Sequence, residues 1–103
     1  MIEIRTHDFA LSVKGHALYA EPGKDIVCAA VTILCYALGG MLCRAEDAGL
    51  LHGAATVEMM PGDIWISCKP KSKKAVRLIW DTALLGMQMV ANEYPQNVRL
   101  VRE

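Results

Sequence analysis

The chain has 103 residues, of which 53% are hydrophobic and 21% are charged. This length and composition fit one domain over residues 1–103 and exclude a two-domain enzyme, a repeat array and a disordered chain. Eleven basic side chains balance eleven acidic ones, so no overall positive field attracts phosphates, and a nucleic-acid partner is not expected.

The pattern of apolar residues predicts the element order β-β-α-β-β-α-β. Strands are expected at Ile2–Arg5, Phe9–Val13, Gly53–Met60, Ile64–Cys68 and Val98–Val101. The sequence Pro61-Gly62-Asp63 is typical of a reversing turn and predicts a hairpin. Between Lys73 and Tyr94, apolar residues recur in steps of three and four, which predicts a helix that ends before Pro95. The expected fold is α+β, with a mostly antiparallel sheet and two helices on one face.

The first helix is expected from Asp25 to Leu38 and lies in an apolar run without charge from Ile26 to Cys43. The run contains Thr32 and ends near Gly39-Gly40, so burial in protein is favoured over a membrane span. Because the helix is apolar on nearly all sides, covering it requires a sheet and either a second helix or another subunit. Dimerisation is therefore one of the two ways in which this helix can be covered.

The four cysteines lack the C-x-x-C spacing of zinc sites, and the N-terminus lacks the basic start and apolar core of a signal peptide. Reduced thiols and a cytoplasmic location are therefore expected, with no disulfide framework. A zinc site that joins Cys28 to Cys35 is excluded, because two helical turns separate them by about 10 Å along the axis. Neither a metal nor a cofactor is expected.

The candidate catalytic residues lie in the segment before the first helix and in the first turn of that helix. If Asp25 is the N-cap, Cys28 is the third residue of the helix, where free N–H groups and the helix dipole favour an anion. A thiolate is the reactive form of cysteine. His16, at the end of the second strand, can fold back beside Cys28 and complete the nucleophile and base pair of a cysteine hydrolase.

The other candidates have simpler interpretations. Buried cysteines and lone histidines are mostly structural or exposed without a function. We expect Cys35, Cys43 and Cys68 to be inert core residues, and His7 and His52 to lie on the surface in loops.

Several segments resemble the signature of the bacterial ribosomal-processing cysteine proteases, the Prp family. They are Gly15-His16-Ala17, Tyr19-Ala20, Gly23, Asp25–Val31, Leu85-Gly86, Val90-Ala91 and Tyr94-Pro95. The resemblance implies that His16 and Cys28 are the catalytic pair of a cytoplasmic homodimer. It also implies that the substrate is large-subunit ribosomal protein twenty-seven, from which a short N-terminal extension is removed. Thr32 stands where the family is expected to favour Ser.

The hypothesis is therefore acyl transfer to Cys28, with amides of the first helical turn holding the oxyanion and His16 protonating the leaving amine. Asp25 either caps the helix or orients His16. The loop from Tyr19 to Lys24 is expected to be mobile and to order over an extended peptide, and Ala17, Leu18 and Tyr19 are expected to help receive an apolar substrate. Two alternatives remain: a non-catalytic peptide-binding or ribosome-assembly module, and a structural dimer.

Overall fold

In a computed structural model that describes all 103 residues, the chain folds into five strands and two helices in the predicted order. The strands are β1 (Ile2–His7), β2 (Ala10–Gly15), β3 (Thr56–Met60), β4 (Asp63–Ser67) and β5 (Val98–Arg102). The helices are α1 (Ile26–Asp47) and α2 (Lys73–Glu93). The predicted α+β class is confirmed.

The sheet has the order β3-β4-β2-β1-β5, and only the β1–β5 pair is parallel. The central strand β2 ends beside the turn of the β3–β4 hairpin, where the Gly15 N–H donates to the Gly62 carbonyl at 2.9 Å. Because His16 follows Gly15 directly, the chain leaves the sheet next to this turn. The sheet topology thus brings His16 to the hairpin.

One face of the sheet is covered and the other is open. Alternate residues of the strands are buried in the core, which also contains Trp80 of α2. These strand residues are Ile2, Ile4, Leu11, Val13, Ile64 and Ile66. Their neighbours Arg5 and Trp65 are exposed on the opposite face. This alternation confirms the prediction of two helices on one face.

Helix α1 is longer than expected, because Gly39-Gly40 lies inside it and does not end it. A Cβ on Gly39 would lie 3.0 Å from Cγ1 of Val57, so this glycine lets α1 approach β3 closely. The helix ends instead before Gly49, which has a φ of +75° and donates its N–H to the Glu46 carbonyl. The prediction failed because an interior glycine costs only about 1 kcal/mol, which packing offsets.

By length and composition, helix α1 could cross a membrane, with a mean hydropathy of 2.3, but core helices of soluble proteins meet the same criteria.

Helix α1 has two different sides. Its inner side contributes buried residues to the core: Val27, Val31, Cys35, Leu38 and Leu42. Its outer side exposes large apolar residues: Ile26, Ile33, Tyr36 and Met41.

Strand β3 begins at Thr56 rather than at the predicted Gly53. Gly53 has a φ of +77°, and the Ala55 N–H donates to the Glu46 carboxylate of α1 at 3.0 Å. These residues therefore connect the helix to the strand instead of extending the sheet. The other strand ends shift by one or two residues.

Candidate active site

Asp25 caps α1 and Cys28 lies in the first turn, as predicted. Asp25 has an extended backbone, and its Oδ1 accepts from the N–H groups of Val27 at 3.0 Å and Cys28 at 2.9 Å. The cap fixes the start of the helix and therefore the position of the half-buried Cys28 thiol. The thiol lies at the positive end of the helix dipole.

The second oxygen of Asp25 holds the preceding loop. Oδ2 accepts from the N–H groups of Tyr19 at 3.0 Å and Ala20 at 3.3 Å. The hydrogen bond from the Cys28 backbone, with those from Ala20, Tyr19 and Val27, lowers the pKa of Asp25, although partial desolvation opposes the shift. None of these bonds goes to His16, so the geometry favours the capping role over orientation of His16.

These bonds narrow the expected oxyanion site. The N–H groups of Val27 and Cys28 donate to Asp25 Oδ1, and that of Ala29 donates to the Asp25 carbonyl at 3.1 Å. Of the amides in the first turn, the Ile26 N–H is the one that the cap does not engage. It is therefore the first-turn amide that remains free to donate to an oxyanion.

His16 is exposed and its imidazole packs against the hairpin turn. A Cβ on Gly62 would lie 2.7 Å from Nε2 and 2.9 Å from Cε1 of His16. Gly62 also has a φ of +71°, which L side chains rarely adopt. The turn at Gly62 was predicted from the sequence, but its contact with His16 was not.

His16 and Cys28 line the same two cavities, of about 210 Å³ and about 650 Å³. Thr32, one turn after Cys28, lines both, as does Pro61 of the hairpin turn. The larger cavity opens toward the loop side, at Leu18, Pro22 and Gly23. A neighbouring cavity of about 300 Å³ continues from Thr32 to Tyr36, Met59 and Met60. His16 and Cys28 thus line the same groove.

The segment after His16 contacts the thiol through its backbone. The Ala17 N–H donates to Cys28 Sγ at 3.3 Å, and the Ala17 carbonyl accepts from Asn97 Nδ2 at 2.9 Å. Sequence reasoning missed Asn97, because no local pattern indicates a contact between residues so far apart in the chain.

The expected contribution of Ala17 to substrate binding is wrong for its side chain, because Ala17 is buried. Tyr19 is exposed, and its ring packs edge-on against Tyr94 with centroids 5.3 Å apart. Leu18 is 79% exposed and lines the larger cavity, so it alone of the three presents its side chain to the groove.

The remaining thiols differ from Cys28. Cys35 is fully buried, as predicted, and burial raises its pKa to about 12. Cys68 is half-buried and accepts from Trp80 Nε1 at 3.4 Å, and burial raises its pKa. The prediction that Cys43 is a core residue is wrong: it is exposed, because α1 continues beyond Gly40 and turns Cys43 toward solvent.

The largest cavity, about 700 Å³, lies at the other end of the sheet and is lined by His7, His52 and Cys68. Both histidines are exposed, as predicted, but His7 is the last residue of β1 and does not lie in a loop, because it pairs with Ala10 of β2. The raised pKa of Cys68 leaves little thiolate there, so this cavity is a poorer candidate for nucleophilic chemistry than the groove at Cys28. No cluster of three or more side chains is arranged to hold a metal ion.

A thiol in the first turn of a helix, with a histidine lining the same cavity, is the arrangement of cysteine hydrolases. The family model described as cysteine protease Prp matches residues 1–99. The chain belongs to this family and is a cysteine protease.

Individual relatives agree with this assignment. The chain is 59% identical over 103 residues to the ribosomal processing cysteine protease Prp of Mycoplasma genitalium. The alignment covers 100% of this chain and 97% of that protein. It is 25% identical over 100 residues to the Bacillus subtilis protein of the same name, covering 93% of this chain and 89% of that one.

Solved structures share the fold. The essential ribosomal processing protease Prp of S. aureus with a covalently linked product peptide aligns with a TM-score of 0.83 at 23% identity, over 100% of both chains. The same S. aureus protease with a substrate peptide aligns with a TM-score of 0.77 at 22% identity, also over 100% of both chains.

Proposed function

We propose that this protease removes a short N-terminal extension from large-subunit ribosomal protein twenty-seven during ribosome assembly, with Cys28 as the nucleophile and His16 as its partner. The observation that carries the proposal is that both residues line the same two cavities, with the thiol in the first turn of α1. The names of the relatives, ribosomal processing proteases, support a ribosomal protein as substrate.

The proposed reaction is acyl transfer. The Cys28 thiolate attacks the scissile carbonyl carbon, and the C–N bond breaks as His16 gives a proton to the leaving amine. Water, deprotonated by His16, then hydrolyses the thioester and restores the thiolate. The Ile26 N–H, which the Asp25 cap leaves without a partner, is the proposed donor to the oxyanion.

The groove on either side of Cys28 suits an extended apolar peptide. On one side, the larger cavity is lined by Leu18 and Pro22; on the other, the neighbouring cavity is lined by Tyr36, Met59 and Met60. These surfaces support binding of apolar side chains next to the scissile bond. The loop from Tyr19 to Lys24, which Asp25 holds at Tyr19 and Ala20, is proposed to close over the bound peptide at its remaining residues.

The protein is further proposed to act in the cytoplasm as a homodimer. Between α1 and α2 lies an apolar groove of about 330 Å³, lined by Leu34, Ala37, Leu38, Met41, Leu78, Ile79, Thr82 and Ala83. Exposed apolar patches of this kind mark protein interfaces. A second copy that packs here would cover Met41 of α1 and Leu78 of α2 and leave the groove at Cys28 open.

The test is to incubate the precursor of large-subunit ribosomal protein twenty-seven with the enzyme and to measure the products by mass spectrometry. Wild-type enzyme should release the extension, Cys28→Ala should release none, and His16→Ala should lower the rate by about 10²-fold or more. Cys43→Ala, which changes an exposed thiol outside the groove, is the matched control and should keep the wild-type rate. A precursor left intact by wild-type enzyme would contradict the substrate, and cleavage by Cys28→Ala would contradict the nucleophile.

A further inference from the structure

Asn97 connects the corner between α2 and β5 to the segment beside the thiol. Its Nδ2 donates to the Ala17 carbonyl at 2.9 Å. The backbone of Asn97 is itself fixed, because its N–H donates to the Tyr94 carbonyl at 2.9 Å and its carbonyl accepts from the Ile2 N–H at 2.8 Å. The Asn97 side chain therefore extends from a corner that both α2 and β1 hold in place.

The held carbonyl belongs to a residue whose N–H contacts the reacting atom. The Ala17 N–H donates to Cys28 Sγ at 3.3 Å. The next residue, Leu18, has a φ of +56°, a left-handed conformation that side-chain-bearing residues adopt only when surrounding contacts hold them. The Asn97 bond is made to the peptide group between Ala17 and Leu18. Without it, this segment can relax and turn the Ala17 N–H away from the sulfur.

The direction of the Ala17 N–H matters because a thiolate accepts hydrogen bonds more strongly than a thiol does. A donor aimed at sulfur therefore stabilises the ionised form, which is the nucleophile. We propose that Asn97 is a positioning residue of this protease, which holds Ala17 so that its N–H favours the Cys28 thiolate. This inference rests on the proposed role of Cys28 as nucleophile.

The test compares Asn97→Leu, which keeps the branched shape and removes the donor, with Asn92→Leu. Asn92 is exposed on α2 and accepts a side-chain bond from Gln88, so it serves as the matched control. The measurement is the rate of iodoacetamide alkylation of Cys28 against pH, read by peptide mass spectrometry. The exposed Cys43 thiol of the same molecule is the internal reference.

Asn97→Leu is expected to slow Cys28 alkylation at pH 7 about tenfold. The midpoint of the plot of alkylation rate against pH should rise by about one pH unit, since hydrogen bonds to charged groups have effects of this order. Cys43 should be unaffected, and kcat for peptide cleavage should fall while KM stays within about twofold. Asn92→Leu should change none of these values. Asn97→Ser, whose shorter side chain cannot reach Ala17, should give the same shift if the Leu variant does not fold.

An unchanged Cys28 midpoint in a folded Asn97 variant would overturn the inference, even if that variant had a lower Tm, because Asn97 would then only stabilise the fold. The alkylation profile does not depend on peptide cleavage. If Cys28→Ala still cuts the precursor, the proposed function fails; if Cys28→Ala is inactive but the Asn97 variants keep the wild-type profile, only the role of Asn97 fails.

Discussion

Gly62 lies directly against the imidazole of His16, so the turn between β3 and β4 forms a wall of the candidate active site. A Cβ on Gly62 would lie 2.7 Å from Nε2 of His16. The Gly62 carbonyl also accepts from the Gly15 N–H at 2.9 Å, which joins the hairpin to the residue before His16. The hairpin thus fixes the position of the backbone at His16 and limits the movement of its imidazole ring.

Gly62→Ala should impair catalysis more than stability. The methyl group would displace the His16 ring, and a displacement of about 1 Å in a reacting group can lower the rate about 10²-fold. The left-handed φ of +71° adds a stability cost of about 1–2 kcal/mol. Peptide cleavage and urea unfolding measure the two effects separately.

Gly53→Ala is the control for that substitution. Gly53 has a similar φ of +77°, but a Cβ there would meet nothing within 4 Å. Gly53→Ala should therefore lose about as much stability as Gly62→Ala and keep the wild-type kcat/KM. Equal losses of activity in the two variants would show that backbone strain, and not contact with His16, is responsible.

Asp25→Asn separates the two tasks of the Asp25 side chain. The amide oxygen can still cap α1, but the amide nitrogen would face the N–H groups of Tyr19 and Ala20, which now donate to Oδ2. We expect the Tm to fall by several degrees, and to fall further in Asp25→Ala, which loses the cap as well. Thermal unfolding measures both. An Asn variant as stable as wild type would mean that the loop contact contributes nothing.

The effect of Asp25 on stability should depend on pH. Its hydrogen bonds, the Cys28 N–H first, hold the pKa of Asp25 below its usual range in the folded protein. The unfolded chain therefore binds a proton at higher pH than the folded one, and stability falls as pH falls. The difference in Tm between wild type and Asp25→Asn should be constant above about pH 5 and shrink as the pH drops below about 4. A difference that grows on acidification would contradict this assignment.

The sequence predicts the fold well where local patterns determine structure, and fails where distant contacts do. Strand alternation and the Pro61-Gly62 turn are local signals, and they give the correct element order. Gly39 looks like a helix end in sequence, yet its contact with Val57 keeps it inside α1. The length of α1 in turn exposes Cys43, which no spacing indicates.

In the candidate site, too, the features set by local sequence are predictable and those set by distant contacts are not. Asp25 and Cys28 are predictable because a cap and the third helical residue are fixed by their separation along the chain. The contact of Asn97 with Ala17 joins residues from opposite ends of the chain, and only the tertiary fold defines it. The engagement of the first-turn amides by Asp25 is likewise visible only in coordinates.

Three of the four thiols give a test of reactivity. Burial raises the pKa of Cys35 to about 12, so only about one molecule in 10⁴ carries this thiolate at pH 8. Cys43 is exposed and Cys28 lines the groove, so both should react with iodoacetamide in the native protein while Cys35 does not. Peptide mapping after brief alkylation measures this order. Labelling of Cys35 as fast as Cys43 in folded protein would contradict the buried position.

The proposed dimer gives a further prediction. Leu78 lines the apolar groove between α1 and α2 and is exposed in the single chain, so Leu78→Lys should convert a dimer into a monomer. Trp65→Lys is the control, because Trp65 is exposed on the open face of the sheet, away from both helices. Sedimentation equilibrium measures the association. A dimer that survives Leu78→Lys but not Trp65→Lys would place the interface on the sheet.

The central claim is that the Cys28 sulfur forms a covalent acyl bond with the substrate. The most direct measurement is intact-protein and peptide mass spectrometry after wild-type enzyme is mixed with a peptide that contains the cleavage site and quenched in acid within milliseconds to seconds. The account predicts an adduct with the mass of the N-terminal fragment on the peptide that contains Cys28, and no adduct in Cys28→Ala. Cleavage that proceeds with the acyl group on another residue, or in the Cys28→Ala protein, would contradict the account.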